Sequence, residues 1–195
     1  MTRLKFMLLL AITIPLGLAL YWIFATSRMA TETPDYQVVR REGRFEIRDY
    51  PALTLARTPM EKRQMNGAFG RLFQFITGHN SSSEKIKMTT PVLIENNSGR
   101  KTMSFIISAE TVKHGTPKPA GESVTLGQTD AARYACLRFR GQSSEANEKK
   151  ALMELESWLI TQKMTGQGAP IFAYYDPPWT PSFLRRNEVL IPVLP

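Results

Sequence analysis

The chain has 195 residues, 43% of them apolar and 22% charged, which is enough apolar content for a core and excludes a chain disordered by composition. A single cysteine, Cys136, excludes a disulfide framework and a cysteine-rich zinc site, and two histidines, His79 and His114, are too few for a three-histidine zinc centre. The net charge of +8 is spread along the chain, with the pairs Arg40-Arg41 and Arg185-Arg186 but no longer basic run, so no nucleic-acid surface is expected.

Phe6 to Ala25 is a run of 20 residues without a charge. As a helix it spans about 30 Å, the hydrocarbon thickness of a bilayer. Tyr21 and Trp22 sit near one end, where interfacial aromatics belong, and Arg3 and Lys5 precede the run. Positive charge before the span holds the N-terminus in the cytoplasm. The expectation is a single-pass anchor over 1–25 in the inner (cytoplasmic) membrane, a polar linker over 26–35, and a domain over 36–195 in the periplasm. The rival reading is a signal peptide cleaved near the small-x-small triplet Ala25-Thr26-Ser27, with secretion to the periplasm.

After the linker, residues 36–50 predict a strand, a turn at Gly43 and a second strand, and Leu53 to Met60 a third. The period then changes. Met65, Ala68, Phe69, Leu72, Phe73 and Ile76 fall on one face of a helix that Gly78 ends, with Phe75 widening the stripe. Pro91 to Glu95 and Thr102 to Ala109 predict strands around a turn at 96–99. The second half repeats that order. Strands at Val124 to Leu126 and Ala132 to Phe139 precede a helix capped by Ser143 or Ser144, with a stripe of Ala151, Leu152, Leu155, Trp158 and Leu159; strands at Ala169 to Tyr175 and Asn187 to Val193 follow. The fold class is therefore α+β: a duplicated strand-helix-strand-strand unit whose antiparallel strands form a barrel-like core carrying two helices.

Met153, Ile160 and Met164 form a secondary apolar stripe on the second helix, suited to a partner helix or to scattered surface positions. Residues 174–183 concentrate Tyr174, Tyr175, Trp179, Phe183 and three prolines, either as the wall of a binding site or as a stiffened hairpin connection. Glu46, Asp49, Glu84 and Glu110 have no diagnostic acid-base spacing, and no phosphate loop, nucleophile elbow or metal signature is present. No catalytic residue is assigned.

The segments FEIRDYPA (45–52), GAFGRLFQFITGHN (67–80), KIKMTTPV (85–92) and YYDPPWTPSFLRRNEV (174–189) together resemble the SOUL haem-binding protein family, in a bacterial, membrane-anchored form. The resemblance covers about residues 36–194. It implies non-covalent binding of haem or another tetrapyrrole by a membrane-tethered carrier or buffer; the alternative is a small-molecule sensor or an enzyme using the same groove for another planar ligand. The groove it implies lies along the first helix and the late aromatic loop, with Met65, Phe69, Phe73 and Tyr175 as its wall and Trp179 nearby. Basic residues proposed for the propionates in one relative fall here at Asn66 and Gln74, with Arg63 and Arg71 as substitutes. A histidine proposed to ligate iron in another branch falls at Asp49, which leaves the metal ligand open, with His79 and His114 as the only histidines.

Overall fold

A computed structural model describes residues 31–61 and 65–194, together with positions 13, 15–17 and 21, which are helical. The expected membrane span over 6–25 therefore lies mostly outside the described residues, and Arg63 lies outside them too. No helix among the described residues is long and apolar enough to cross a membrane.

Among the described residues, nine strands form one antiparallel sheet. They are β1 (Gln37–Glu42), β2 (Phe45–Tyr50), β3 (Thr54–Met60), β4 (Val92–Asn97), β5 (Arg100–Ile106), β6 (Thr125–Gln128), β7 (Ala132–Phe139), β8 (Ile171–Tyr174) and β9 (Asn187–Val193). Helix α1 (Met65–Ile76) follows β3, α2 (Ala109–His114) follows β5, and α3 (Glu145–Thr161) follows β7. The strand order is β1-β2-β7-β9-β8-β4-β5-β3-β6. β1 and β6 are edges, so the sheet is open and not a closed barrel.

That order carries an internal symmetry. The triplets β7-β9-β8 and β4-β5-β3 each belong to one half of the chain, and each half's sheet is flanked by a strand from the other half: β2 on β7, and β6 on β3. The halves meet at β8 and β4, where Phe172 pairs with Ile94 and Tyr174 with Val92.

Register settles which residues share a face, because cross-strand partners point the same way. One row runs Leu137, Val189, Phe172, Ile94, Met103 across five strands. Both helices pack on this face. α3 lays Ala151, Leu155, Trp158 and Leu159 on Ala135, Leu137, Val189 and Ile191, while α1 lays Ala68, Leu72, Phe75 and Ile76 on Ala56, Met103 and Phe105. At about 25 cal/mol per Å² these stripes are what hold the helices down. α3 starts where Ser144 accepts the amide of Asn147, with Glu145 and Glu148 in the positive first turn.

A third helix is an addition to the two expected. The strand predicted to reach Ala109 stops at Ile106, because the Ser108 side chain accepts the Thr111 amide and turns the chain into α2. Met164 lies beyond α3 and packs against its core, so it does not belong to one exposed stripe with Met153 and Ile160.

Candidate functional site

α3 lies over β7 and β9, and α1 over β3 and β5. In the strand order these positions are four strand spacings apart, about 19 Å. Two packed helices sit roughly 8–10 Å apart. The helices therefore leave a trough between them, and its floor is β8 and β4.

The floor presents Ile94, Val92, Phe172 and Tyr174; all but Ile94 are only half-buried. Its wall on α1 follows from the helical angle of 100° per residue. Arg71 lies on one flank, where Nε donates to Thr58 Oγ1 at 2.8 Å on β3, toward the sheet edge. Phe69 and Phe73 lie on the opposite flank, toward β4. Phe69 meets Phe105 edge-on at 5.3 Å and stacks with Phe73 at 5.9 Å. Phe105 and Tyr174 are two strands apart, about 10 Å. Met65, Phe69 and Phe73 are 40%, 38% and 47% exposed, an apolar flank with no cover from described residues.

The α3 wall is read the same way. Trp158 turns toward β2 and β1, stacking on Phe45 at 4.9 Å and donating to Glu42 at 3.3 Å. Leu152, Lys149 and Glu156 fall on the other flank, toward β8. Glu148 accepts the Tyr174 hydroxyl, tying α3 to the floor; burial, then the Glu148 carboxylate, pushes that phenol's pKa up.

Of the residues expected at the site, the structure brings Met65, Phe69 and Phe73 onto one surface, with Asn66 exposed at its outer rim. Gln74 is exposed on the outer side of α1. Two of the expected residues lie apart from that surface. Arg71 is turned away from the trough and held by Thr58 and the Pro59 carbonyl. Tyr175 is on the other side of the sheet: Tyr174 faces the helices, and strand alternation sends its successor through. Tyr174, which the sequence placed only within the aromatic bend, is the tyrosine on the helix face, and Lys149 is an exposed cation the sequence did not single out. Trp179 is 64% exposed on the bend after β8.

Iron coordination finds no ready partner in the positions considered. Asp49 is engaged by Arg133 through two hydrogen bonds of 2.7 and 2.8 Å. His114 ends α2 with Nδ1 2.8 Å from the Glu110 carbonyl oxygen, and His79 is exposed beyond α1. Among the described residues no group of His, Cys, Asp and Glu is arranged to hold a bare metal ion.

The face without helices holds a cavity of about 520 Å³ counted to its open mouth, between Tyr50, Tyr134, Tyr175, Leu55, Leu93 and Leu190. It is a narrow cleft. Beside it Glu188, fully buried, accepts from Arg48 at 2.7 and 3.1 Å, from Tyr175 at 2.8 Å and from Arg186 at 2.7 Å. Burial by itself raises the Glu188 pKa, but Arg48 and Arg186 outweigh it and bring the carboxyl down to about 2. Cys136 is buried there, and burial pushes its thiol up, which makes it inert.

A family model described as SOUL heme-binding protein matches residues 31–192. No curated protein matches the chain. Among solved structures the chain is similar to the C-terminal domain of EcmrR, with a TM-score of 0.61 at 11% identity over 82% of this chain and 98% of that one. It is also similar to EcmrR in its DNA complex (0.58, 12%, 81% of this chain and 57% of that one) and to a hydrolase from Listeria innocua (0.54, 9%, 80% and 94%). At such identities the likeness is one of fold.

Proposed function

The chain belongs to the SOUL heme-binding protein family, and from that premise we propose that it binds haem or a related tetrapyrrole without a covalent bond, in the trough between α1 and α3, as a carrier or buffer tethered to the inner membrane by residues 6–25 with its domain in the periplasm. The observation that carries the site is the uncovered flank of Phe69 and Phe73 facing a half-buried floor of Val92, Phe172 and Tyr174. A porphyrin is a flat apolar disc with two carboxylates on one edge. Such a disc suits a gap of this width, walled by stacked rings on one side. When bound, haem supplies an iron centre; the chain's part is to bury the macrocycle, and Lys149 and Asn66 at the rims are placed to meet its carboxylates. Tethering is supported by the charge-free run itself, with Arg3 and Lys5 before it.

A second reading places a smaller planar ligand in the cleft on the bare face, in a sensor or an enzyme. What favours it is that this cleft is an apolar enclosure walled by three tyrosines.

The test is a hemin titration of the full chain in detergent, read at the Soret band. Wild type is expected to show a saturable shift at micromolar hemin. Phe69→Asp with Phe73→Asp is expected to abolish it, and far-ultraviolet circular dichroism checks that the variant stays folded, since Phe69 also packs edge-on against Phe105. A full shift in the double variant moves the ligand to the other face; no saturable shift in wild type removes the carrier reading.

A further inference from the structure

We infer that the bend between β8 and β9 is a membrane wedge, which seats Trp179 and Phe183 in the interfacial layer of the bilayer that holds the N-terminal run; the inference rests on the tethering proposed above. Trp179 and Phe183 are 64% and 67% exposed. They are not on a slack loop. Arg185 Nε donates to the Thr180 carbonyl at 2.7 Å and its guanidinium also reaches the Pro178 carbonyl. The Thr180 amide closes on the Pro177 carbonyl at 3.0 Å, and Thr180 is 2% exposed. Gly141 donates to the Ser182 carbonyl at 3.1 Å and pins the bend to the start of α3. Two large rings held outward on a braced bend are costly in water and favourable at a bilayer interface, where aromatics collect.

The path of the chain says which surface covers them. The linker joins the fold where Glu32 bridges Thr89 and accepts the Thr90 amide at 2.8 Å. Two residues later β4 begins, and its Val92 pairs with Tyr174, the last residue before the bend. The tether and the bend thus leave the sheet at the same end. From Ala25 to Glu32 is seven residues, at most about 24 Å when extended. A bilayer holding Ala25 is within reach of this end. Arg140, exposed beside Gly141, adds a cation for anionic headgroups. The wedge also sets the trough's end against the bilayer, the phase from which an apolar macrocycle arrives.

The test uses the full chain reconstituted in phosphatidylcholine–phosphatidylglycerol vesicles, with and without acyl-brominated lipid, which quenches tryptophan at bilayer depth. The tryptophans are Trp22, Trp158 and Trp179, and Trp158 is buried in the domain. In Trp22→Phe the bromine effect reports Trp179, and a fall of about twofold in its emission is expected. Adding Phe183→Asp is expected to reverse most of that fall. Trp179→Phe retains Trp22 and reports the tether. If Trp179→Phe is quenched and Trp22→Phe is not, the tether holds and the wedge is wrong. If neither is quenched, the tethering reading fails first and the wedge with it.

Discussion

The same nine strands present two differently finished faces. On the helix side the row Leu137, Val189, Phe172, Ile94, Met103 is apolar throughout, and the two helices leave Phe172, at its middle, only half-buried. On the bare side Arg48, Glu46 and Glu188 are buried, and each of them has its partner within the fold. The contrast separates capacity from commitment. Apolar surface left in water is free energy still to be gained on binding. A buried carboxylate that already accepts from Arg48, Arg186 and Tyr175 has nothing left to offer a ligand and a large penalty waiting if disturbed. The bare face therefore bears on stability, and in the reading proposed above the helix face bears on affinity.

The largest effect that would break this division is on the bare side. Glu188→Ala leaves Arg48, 1% exposed, with one of its two buried carboxylate partners gone, and strips Arg186 and Tyr175 of their acceptor. The expected cost is about 3–5 kcal/mol, read as a shift of the urea midpoint. Adding Arg48→Met removes the stranded charge and is expected to recover part of it. If Glu188→Ala unfolds at the wild-type midpoint, the network is not holding the sheet.

Acid sharpens the same point. The Glu188 carboxyl lies at about 2 in the fold against an ordinary 4.5. A lowered folded value contributes stability that is complete above the unfolded pKa and lost as pH falls toward the folded one. The loss should run from about pH 4.5 down to about pH 2 and reach roughly 3 kcal/mol. Glu188→Gln should flatten that limb. A stability profile of the same shape in wild type and Glu188→Gln would assign acid sensitivity to other carboxyls.

Much of the helix side was legible in the sequence, because it depends on local period. The bounds of α1 and α3 follow from 3.6-residue spacing and from the Ser144 cap. The direction of the α1 stripe was harder to read. Phe75 is 1% exposed and shifts the stripe's centre, which leaves Phe69 and Phe73 on the flank instead of in the core. Tyr174 and Tyr175 are adjacent aromatics, and only the pairing with Val92 says which faces the helices. The trough depends on β4 and β8 being neighbours, and no local pattern encodes that. The bare face was illegible for the same reason: Arg48 and Glu188 are 140 positions apart, and each alone reads as a surface charge on a strand.

The smallest effect expected is the most specific to the trough. Lys149 is exposed on the α3 flank toward β8, and in the reading proposed above it meets a carboxylate of the macrocycle. An exposed pair of this kind contributes about 0.2–1 kcal/mol, so Lys149→Ala should weaken hemin binding only about two- to fivefold. The discriminating ligand is hemin dimethyl ester, which keeps the disc and loses both charges. Its affinity should be the same for wild type and Lys149→Ala, while raised salt should narrow the difference seen with hemin. An equal loss for both ligands would mean that Lys149 acts through packing with its aliphatic stem, and that the carboxylate edge of the disc points elsewhere.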